Sequence, residues 1–228
     1  ELLGGQNALI DALAAVARET GKPFVVVLMS SKPMVLPASV IGTNGVVVDM
    51  APAEGVSALL WAPSPGMKGG RAIAEIILGQ TEPSGRLPIT FPRHAGQLPV
   101  YYNQIRGQHG DRYADLTQDP AFAFGEGLSY TTFEYADLDV RRVDDTVRVA
   151  CTVTNTGSRE GKTVVQAYFG LEGTGEDRPV KELKGFAKVD LVPGESRQVI
   201  IDIPEAKALG YWSVGADKWE IGRASCRE

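Results

Sequence analysis

The side chains best suited to contact a polar ligand lie in one segment, residues 93–123. Arg112 and Tyr113 are adjacent there: a planar guanidinium donates paired hydrogen bonds to hydroxyls or to a carboxylate, and a phenol offers a flat apolar face with a polar tip. Carboxylates lie nearby, at Asp111, Asp115, Asp119 and Glu126. Asp in a turn-rich segment usually hydrogen-bonds its own backbone, so we interpret these four as solvated turn residues. Arg112 and Tyr113 are the candidate binding pair, and packing between domains is the alternative role for them.

Other catalytic and cofactor motifs are missing from the sequence. Ser64 and Lys68 have one residue too many between them for the S-x-x-K of serine acyl enzymes. The glycines that follow Pro65 have neither the P-loop spacing nor the G-x-G-x-x-G spacing of dinucleotide-binding proteins. The two histidines, His94 and His109, have no clustered cysteines beside them and no serine or cysteine nucleophile motif. We therefore predict no metal site, no catalytic triad and no cofactor.

The composition excludes several partner classes. The net charge is −5 and the sequence pI is about 5.2, so nothing in the overall charge favours binding to nucleic acid or to an anionic membrane. No apolar run reaches the roughly 18 residues that a membrane-spanning helix needs. The chain opens at Glu1 without a Met, which suggests a cut, so the missing signal peptide leaves the compartment open, with a periplasmic or secreted location as one option.

The first ninety residues alternate between helical and strand patterns. The spacing predicts a helix over residues 5–20, closed by Gly21, with one apolar stripe made of Leu9, Ile10, Leu13, Val16 and Ala17. Continuous apolar runs at 24–29, 45–48 and 58–61 have strand length, and a glycine-rich helix ending at Gly79 follows them. Gly69 and Gly70 at its start allow close backbone approach. Strands alternating with helices indicate a parallel sheet flanked by helices.

From Phe133 onward the apolar residues recur with a period of two. They alternate along three predicted strands, at Val147, Val149, Cys151 and Val153, at Val165, Ala167 and Phe169, and at Val199, Ile201 and Ile203. Short strands separated by glycine-containing turns predict a β-sandwich. Cys151 is then a small core residue by default.

Two long motifs resemble the C-terminal sandwich domain of glycoside hydrolase family 3. The family has P-G-x-E-G-G-x-A-I-A followed by P-S-G-R-L-P-x-T-F-P, and this chain has the corresponding residues at 65–74 and 83–92. Lys68 stands where the family usually has Glu, so this chain lacks the carboxylate of that position. Residues 112–115 match the family's R-Y-x-D element, and residues 124–133 match F-G-x-G-L-S-Y-T-x-F, with Glu126 where the family often has an aromatic residue or His.

The later part of the chain is similar to the fibronectin type III-like domain that ends many members of the family. The similarity lies in residues 153–157 and 178–186. The resemblance implies the C-terminal part of an α/β sandwich domain at 1–92, a crossing segment at 93–132 and a fibronectin type III-like domain at 133–221 with its last strand missing. Residues 222–228 have no periodicity, and we interpret them as a non-native tail outside the fold.

The resemblance also implies a function. An intact family member of the β-glucosidase or β-xylosidase type hydrolyses terminal non-reducing β-linked sugars with retention, and its nucleophilic Asp lies in an upstream barrel domain of the same chain. The acid/base residue usually precedes the helix that opens this chain, so the chain contains no catalytic residue and would be inactive alone. Arg112 and Tyr113 would contact the β-linked oligosaccharide or glycoside. The alternative is a non-catalytic carbohydrate-contacting or structural module, which the sequence upstream of Glu1 would distinguish.

Overall fold

The computed structural model describes residues 2–41, 55–105 and 118–226, which divide into two compact units. Within the described residues, the first unit comprises 2–41, 55–78, 87–102 and 118–126. The second comprises 79–86, 103–105 and 127–226. Both units contain residues from separate stretches of the chain.

Helix α1 (Gln6–Thr20) opens the first unit and ends at Gly21, whose φ of 64° is left-handed. Its small residues Ala14 and Ala17 are buried, whereas the larger members of the predicted stripe are exposed, namely Leu9, Leu13 and Val16. The backbone comes close at Ala14, where a Cβ added to Gly55 would lie 2.5 Å from the carbonyl oxygen. Of the predicted stripe, Ala17 is buried and Ile10 packs against the same core cluster as Ala14, so the stripe divides between a buried and an exposed face.

Among the described residues of the first unit, two strands form a parallel sheet. Strands β1 (Val25–Leu28) and β2 (Ala58–Trp61) pair in parallel, which confirms the predicted pairing type. The indole nitrogen of Trp61 donates a 2.8 Å hydrogen bond to the carbonyl of Ser30, just past the end of β1. The short helix α2 (Ala38–Ile41) follows β1. The predicted apolar run at 45–48 lies outside the described residues.

Helix α3 (Gly69–Ile77) follows β2, and Gly79 behind it has a φ of 68°. Its first residue, Gly69, is buried, and a Cβ there would lie 2.5 Å from the Cβ of Pro65. The next residue, Gly70, faces open space, with no atom within 4 Å of an added Cβ. The close approach predicted for both glycines therefore occurs at Gly69 and not at Gly70.

The second unit is an all-β sandwich with one short helix, α4 (Glu205–Leu209). Its long strands, in chain order, are β3 (Phe133–Val143), β4 (Thr146–Asn155), β5 (Gly161–Glu172), β6 (Glu182–Leu191) and β7 (Ser196–Pro204). Strands β3, β4 and β7 form one antiparallel sheet, β5 and β6 pair antiparallel in a second, and β8 (Gly210–Ser213) and β9 (Lys218–Ile221) form a hairpin.

The alternating residues predicted from the sequence form the core of this sandwich. Buried members of one hydrophobic cluster include Val147, Val149, Cys151, Val153, Val165, Ala167, Phe169, Val199, Ile201 and Ile203. The fold class is thus confirmed: a parallel α/β region precedes a β-sandwich.

Four of the last residues, for which the sequence predicted no element, form a strand. Strand β10 (Arg223–Cys226) pairs antiparallel with β5, so these residues belong to the second sheet instead of lying outside the fold. An edge strand offers unpaired backbone N–H and C=O groups to any extended segment, whatever its side-chain pattern. Side-chain periodicity alone therefore gave no signal for this strand.

Candidate functional site

Arg112 and Tyr113, the candidate binding pair, lie outside the described residues, as do Asp111 and Asp115. The structure describes the residues on both sides of them. Asp119 and Glu126, the other two predicted turn carboxylates, are described and belong to the first unit.

The backbone before and after the candidate segment is paired antiparallel. Phe91 donates its N–H to the carbonyl of Phe122 at 2.9 Å, and Ala121 donates to the carbonyl of Phe91 at 2.8 Å. Further out, Leu87 donates to the carbonyl of Glu126 at 2.8 Å. These bonds hold residues 87–91 beside residues 121–126 within the first unit, although the two stretches are far apart in sequence.

Aromatic side chains fill the space beside this paired backbone. Phe91 is 1% exposed, and its ring makes edge contacts with Trp61 at 5.2 Å and with Phe122 at 6.0 Å between centroids. Tyr102 stacks on Phe124 with centroids 4.1 Å apart. Edge-to-face and stacked pairs of this kind add stabilisation beyond the area they bury. The paired backbone therefore rests on a packed core.

Two buried polar side chains converge on the carbonyl of Asp119. Nε of Arg93 donates to it at 3.0 Å and Nε2 of Gln97 at 3.3 Å. Arg93 is 7% exposed and Gln97 is 3% exposed. We call these three residues the Arg93 cluster.

A short 3₁₀ helix, Ala95–Gln97, brings Gln97 back beside Arg93. Nδ1 of His94 accepts the N–H of Gly96 at 3.0 Å, while Oε1 of Gln97 accepts the N–H of Arg93 at 2.7 Å and that of His94 at 3.4 Å. This reciprocal capping satisfies backbone donors at the helix start. The side chain of His94 therefore bonds to the backbone of its own turn. The side-chain amide of Gln97 accepts backbone N–H groups through its oxygen and donates to the carbonyl of Asp119 through its nitrogen.

The guanidinium of Arg93 is held in an unfavourable environment. Burial lowers its pKa, and the charge of Asp119 partly offsets that shift. Among the described residues its Nη1 is buried with no hydrogen-bond partner. Burying a cation is costly unless it is paired, and Nε of this guanidinium donates to a backbone carbonyl instead of a carboxylate. The buried guanidinium is thus stabilised by the carbonyl of Asp119, which accepts from Nε, and by the charge of the same residue.

Two departures from the family pattern can be located. Oε2 of Glu126 accepts the N–H of Ala123 at 2.8 Å, a local turn bond of the kind expected for these carboxylates. Lys68 is exposed at the residue before α3, and its side chain makes no hydrogen bond to the helix start.

Sequence reasoning missed Arg93 and Gln97. A signal was present, because Arg93 follows directly on Phe91 and Pro92 and Gln97 stands four residues further on. Together with His94, Ala95 and Gly96, however, Arg93 and Gln97 form a stretch whose composition is typical of an exposed loop. Arginine side chains are rarely buried, so the sequence alone favours exposure of both residues.

Within the described ranges, no group of three His, Cys, Asp or Glu side chains is placed to hold a metal ion. The same part of the chain contains no helix that is both long and apolar enough to cross a membrane.

The family model for the glycosyl hydrolase family 3 C-terminal domain matches residues 1–130, more than half of the chain. The chain belongs to glycosyl hydrolase family 3. The fibronectin type III-like domain model matches residues 163–226. In this family 3 chain, the Arg93 cluster and the candidate binding pair both lie in the part matched by the C-terminal domain, and the sandwich core of the second unit overlaps the fibronectin-like match.

Individual β-glucosidases and a β-xylosidase are similar along almost the whole chain. A periplasmic β-glucosidase from Salmonella typhimurium is 39% identical over 222 residues, which cover 91% of this chain and 27% of that protein. A β-xylosidase from Formosa agariphila is 37% identical over 210 residues, covering 87% of this chain and 26% of its own length. A solved structure of a β-glucosidase from intestinal bacteria, described as involved in saponin metabolism, has 59% identity and a TM-score of 0.88 over 97% of this chain and 30% of that one.

The chain spans between a quarter and a third of the length of these relatives. The similarity therefore assigns the chain to the family and assigns a fold to this part of a family 3 protein.

Proposed function

We propose that this chain is the C-terminal part of a retaining, exo-acting β-glycosidase that hydrolyses terminal non-reducing β-linked sugars, of the β-glucosidase or β-xylosidase type. One observation carries the proposal: enzymes of both names match about nine-tenths of the chain at 37–39% identity. The ligand of the intact enzyme is then a β-linked oligosaccharide or glycoside.

The catalytic carboxylates of the intact enzyme are assigned to other residues of the same protein. Retaining hydrolysis needs two carboxylates about 5–5.5 Å apart, one to attack the anomeric carbon and one to protonate the leaving oxygen. Glu126, one of the two described carboxylates predicted as turn residues beside the candidate binding pair, is already bound to a backbone N–H of its own turn. We assign the nucleophile to an upstream barrel domain and the acid/base residue to the sequence before α1.

Arg112 and Tyr113 are the residues through which this chain would contact the sugar. A guanidinium can donate to two neighbouring hydroxyls, and a phenol ring can stack on the apolar face of a pyranose. Loss of one charge-assisted contact costs about 1.5–3 kcal/mol. At about 1.4 kcal/mol per tenfold, Arg112→Ala in the full-length enzyme should lower kcat/KM by roughly tenfold to a hundredfold.

The proposal is tested by comparing the full-length enzyme with the 228-residue chain on an aryl β-glucoside and an aryl β-xyloside. The full-length enzyme should hydrolyse at least one of them, and NMR should detect the β-anomer of the sugar as the first product. The isolated chain should turn over neither substrate. Failure of the full-length protein on both substrates would favour the non-catalytic module, whereas turnover by the isolated chain that is lost on substituting one of its own carboxylates would place catalysis in this chain.

A further inference from the structure

Trp212 and Trp219 are exposed on one face of the β8–β9 hairpin. They lie directly opposite each other in the strand register, and their rings meet edge to face with centroids 6.0 Å apart. Trp212 is 43% exposed and Trp219 is 70% exposed. Tryptophan is highly buried on average in folded proteins, so two indoles left together in solvent indicate a contact surface.

A cleft of about 370 Å³ lies beside Trp219, between the hairpin and helix α4. Trp219 and Ile221 give it an apolar wall, and Lys207 and Glu220 add one ammonium and one carboxylate. The volume is at the lower end of the range of about 300–1,000 Å³ that is typical of small-ligand sites. The cleft therefore combines a flat apolar ring with one cationic donor and one anionic acceptor.

The hairpin that carries the two rings is held by hydrogen bonds on its other side. The buried Tyr211 donates its hydroxyl to Oε2 of Glu220 at 3.0 Å, which connects β8 to β9. At the turn between the strands, Oε1 of Glu176 accepts the N–H of Val214 at 2.8 Å. A surface that is already rigid loses little conformational entropy when a ligand binds to it.

The size and chemistry of this surface fit a sugar chain better than a protein partner. An indole buries about 150–250 Å² when it is fully covered, so the exposed parts of the two rings offer on the order of 200–300 Å². A stable protein interface needs about 800 Å² from each partner. The charges of Lys207 and Glu220 balance, so the cleft selects neither an acidic nor a basic ligand. A pyranose ring has an apolar face of C–H bonds and a rim of hydroxyls, and this matches an indole with a donor and an acceptor at its edge.

We propose that the cleft between β9 and α4 binds a β-linked sugar chain. The ring of Trp219 stacks on a pyranose, Trp212 supports that ring by its edge contact, and Lys207 donates to the sugar hydroxyls. Glu220 accepts from hydroxyls as well, because a carboxylate has lone pairs left beside the bond from Tyr211. Only the β linkage rests on the proposed function: β-linked glucose and xylose rings carry their substituents equatorially and so present a flat apolar face.

The experiment is affinity electrophoresis of the 228-residue chain in native gels that contain a soluble β-glucan, a xylan or the α-linked glucan dextran. The β-glucan or the xylan should retard the parent protein, and dextran should not. Trp219→Ala should weaken binding roughly tenfold to a hundredfold, because it removes on the order of 100 Å² of apolar contact. Trp219→Tyr keeps a flat ring and should stay within a few-fold of the parent. The matched control is Phe186→Ala, since Phe186 on β6 is 68% exposed outside the cleft and should not affect migration.

Several results would overturn the inference. They are no retardation by either β-linked polymer, equal retardation by dextran, and equal losses in Trp219→Ala and Phe186→Ala, which would indicate unspecific apolar binding. Sedimentation that shows a dimer of the parent and a monomer of Trp219→Ala would assign the surface to a second copy of the chain.

Two further measurements keep the test decisive. If Trp219→Ala does not fold, Lys207→Ala replaces it, because Lys207 is exposed and its loss should weaken retardation a few-fold; unchanged retardation would contradict the site. In the full-length enzyme the variants should follow the same order, and a different order there would also overturn the inference. Retardation does not depend on hydrolysis, so an enzyme that fails on both aryl glycosides removes the proposed function and leaves the sugar cleft to be judged by the gels.

Discussion

The hydroxyl of Thr131 donates a 2.8 Å hydrogen bond to the side-chain oxygen of Asn155, and both side chains are buried. The same oxygen of Asn155 accepts the N–H of Gly157 at 3.1 Å, and its amide nitrogen donates to the carbonyls of Arg159 at 2.7 Å and Leu191 at 2.9 Å. Two donors and two acceptors thus satisfy the whole amide. The bond joins two sequence motifs, because Thr131 belongs to 124–133 and Asn155 to 153–157.

We predict that Asn155→Ala is strongly destabilising for the sandwich. The change leaves two carbonyls, one N–H and one hydroxyl without their partner, and each buried unsatisfied group costs about 1–3 kcal/mol. Relaxation and water entry reduce the sum, so we expect a loss of about 3–5 kcal/mol in the free energy of unfolding.

Urea titration followed by circular dichroism measures this loss, and two variants calibrate it. Thr131→Val removes one donor and should cost about 1–2 kcal/mol. Thr156→Ala removes an exposed hydroxyl pair with Thr132 and should stay within about 0.5 kcal/mol. Equal effects of Asn155→Ala and Thr156→Ala would contradict the role of the buried amide.

The sandwich could be predicted from the sequence because its signal is local. The period of two at Val147, Val149, Cys151 and Val153 follows directly from alternation of side chains across a strand. The meeting of Thr131 with Asn155 could not be predicted, since it depends on how the chain enters the sandwich. Strand β10 was missed for a related reason: backbone pairing with an open edge needs no side-chain pattern.

In the α/β region the sequence predicted which residues form helices and strands better than it predicted which side of a helix is buried. The limits of α1 and the parallel pairing of β1 with β2 follow from local patterns. The buried side of α1 is the one that carries Ala14, which packs in a core cluster built from residues distant in sequence, and a helical pattern does not encode those contacts. Likewise, Arg93 and Gln97 were missed because burial of a polar side chain is decided by distant partners such as Asp119.

Cys151 should be protected from thiol reagents in the native protein. Its side chain is buried in the sandwich core, and this burial raises the pKa of the thiol. In a Cys226→Ser variant, which leaves Cys151 as the remaining thiol, an aromatic disulfide reagent should react only as fast as the sandwich opens. Rapid stoichiometric reaction without denaturant would show that the site is accessible.

The same thiol gives a dependence of stability on alkaline pH. Because folding raises the pKa of the Cys151 thiol, the protonated thiol contributes fully to the unfolding free energy below the pKa of an unfolded cysteine, about 8.5. This contribution is lost as the pH rises toward the higher pKa of the folded state. Between about pH 8 and 10 the parent protein should therefore lose more unfolding free energy than Cys151→Val does. Parallel losses in the two proteins would rule out ionisation of Cys151 as a contributor.

Asp202 should make a small, acid-sensitive contribution to stability. Arg148 on β4 forms two 2.7 Å hydrogen bonds with the carboxylate of Asp202 on β7, and these bonds lower the pKa of Asp202. The stabilisation is present above the unfolded pKa of about 3.9 and is lost as pH falls through the lower folded pKa. The pair is exposed, so its contribution is small and should weaken in salt.

Unfolding free energies of the parent protein and Asp202→Asn should therefore converge as the pH is lowered below about 4. Glu134→Gln, at an exposed position on the neighbouring strand β3, serves as the control and should follow the parent protein. A constant difference between Asp202→Asn and the parent protein from about pH 7 to pH 2 would show that the ion pair is not the cause.

The two glycines at the start of α3 should respond in opposite directions to the same substitution. A Cβ at Gly69 would lie 2.5 Å from Cβ and 2.9 Å from Cγ of Pro65, and a proline ring cannot rotate away, so Gly69→Ala should cost about 1–3 kcal/mol. A Cβ at Gly70 meets no atom within 4 Å, and alanine is a better helix former than glycine by up to about 1 kcal/mol, so Gly70→Ala should be neutral or stabilising. Thermal melting of the two variants beside the parent protein measures both signs. If both substitutions destabilise the protein equally, helix α3 does not approach Pro65 as described. If both are tolerated, the loop before α3 moves to accept the added Cβ, and the close packing at Gly69 does not contribute to stability.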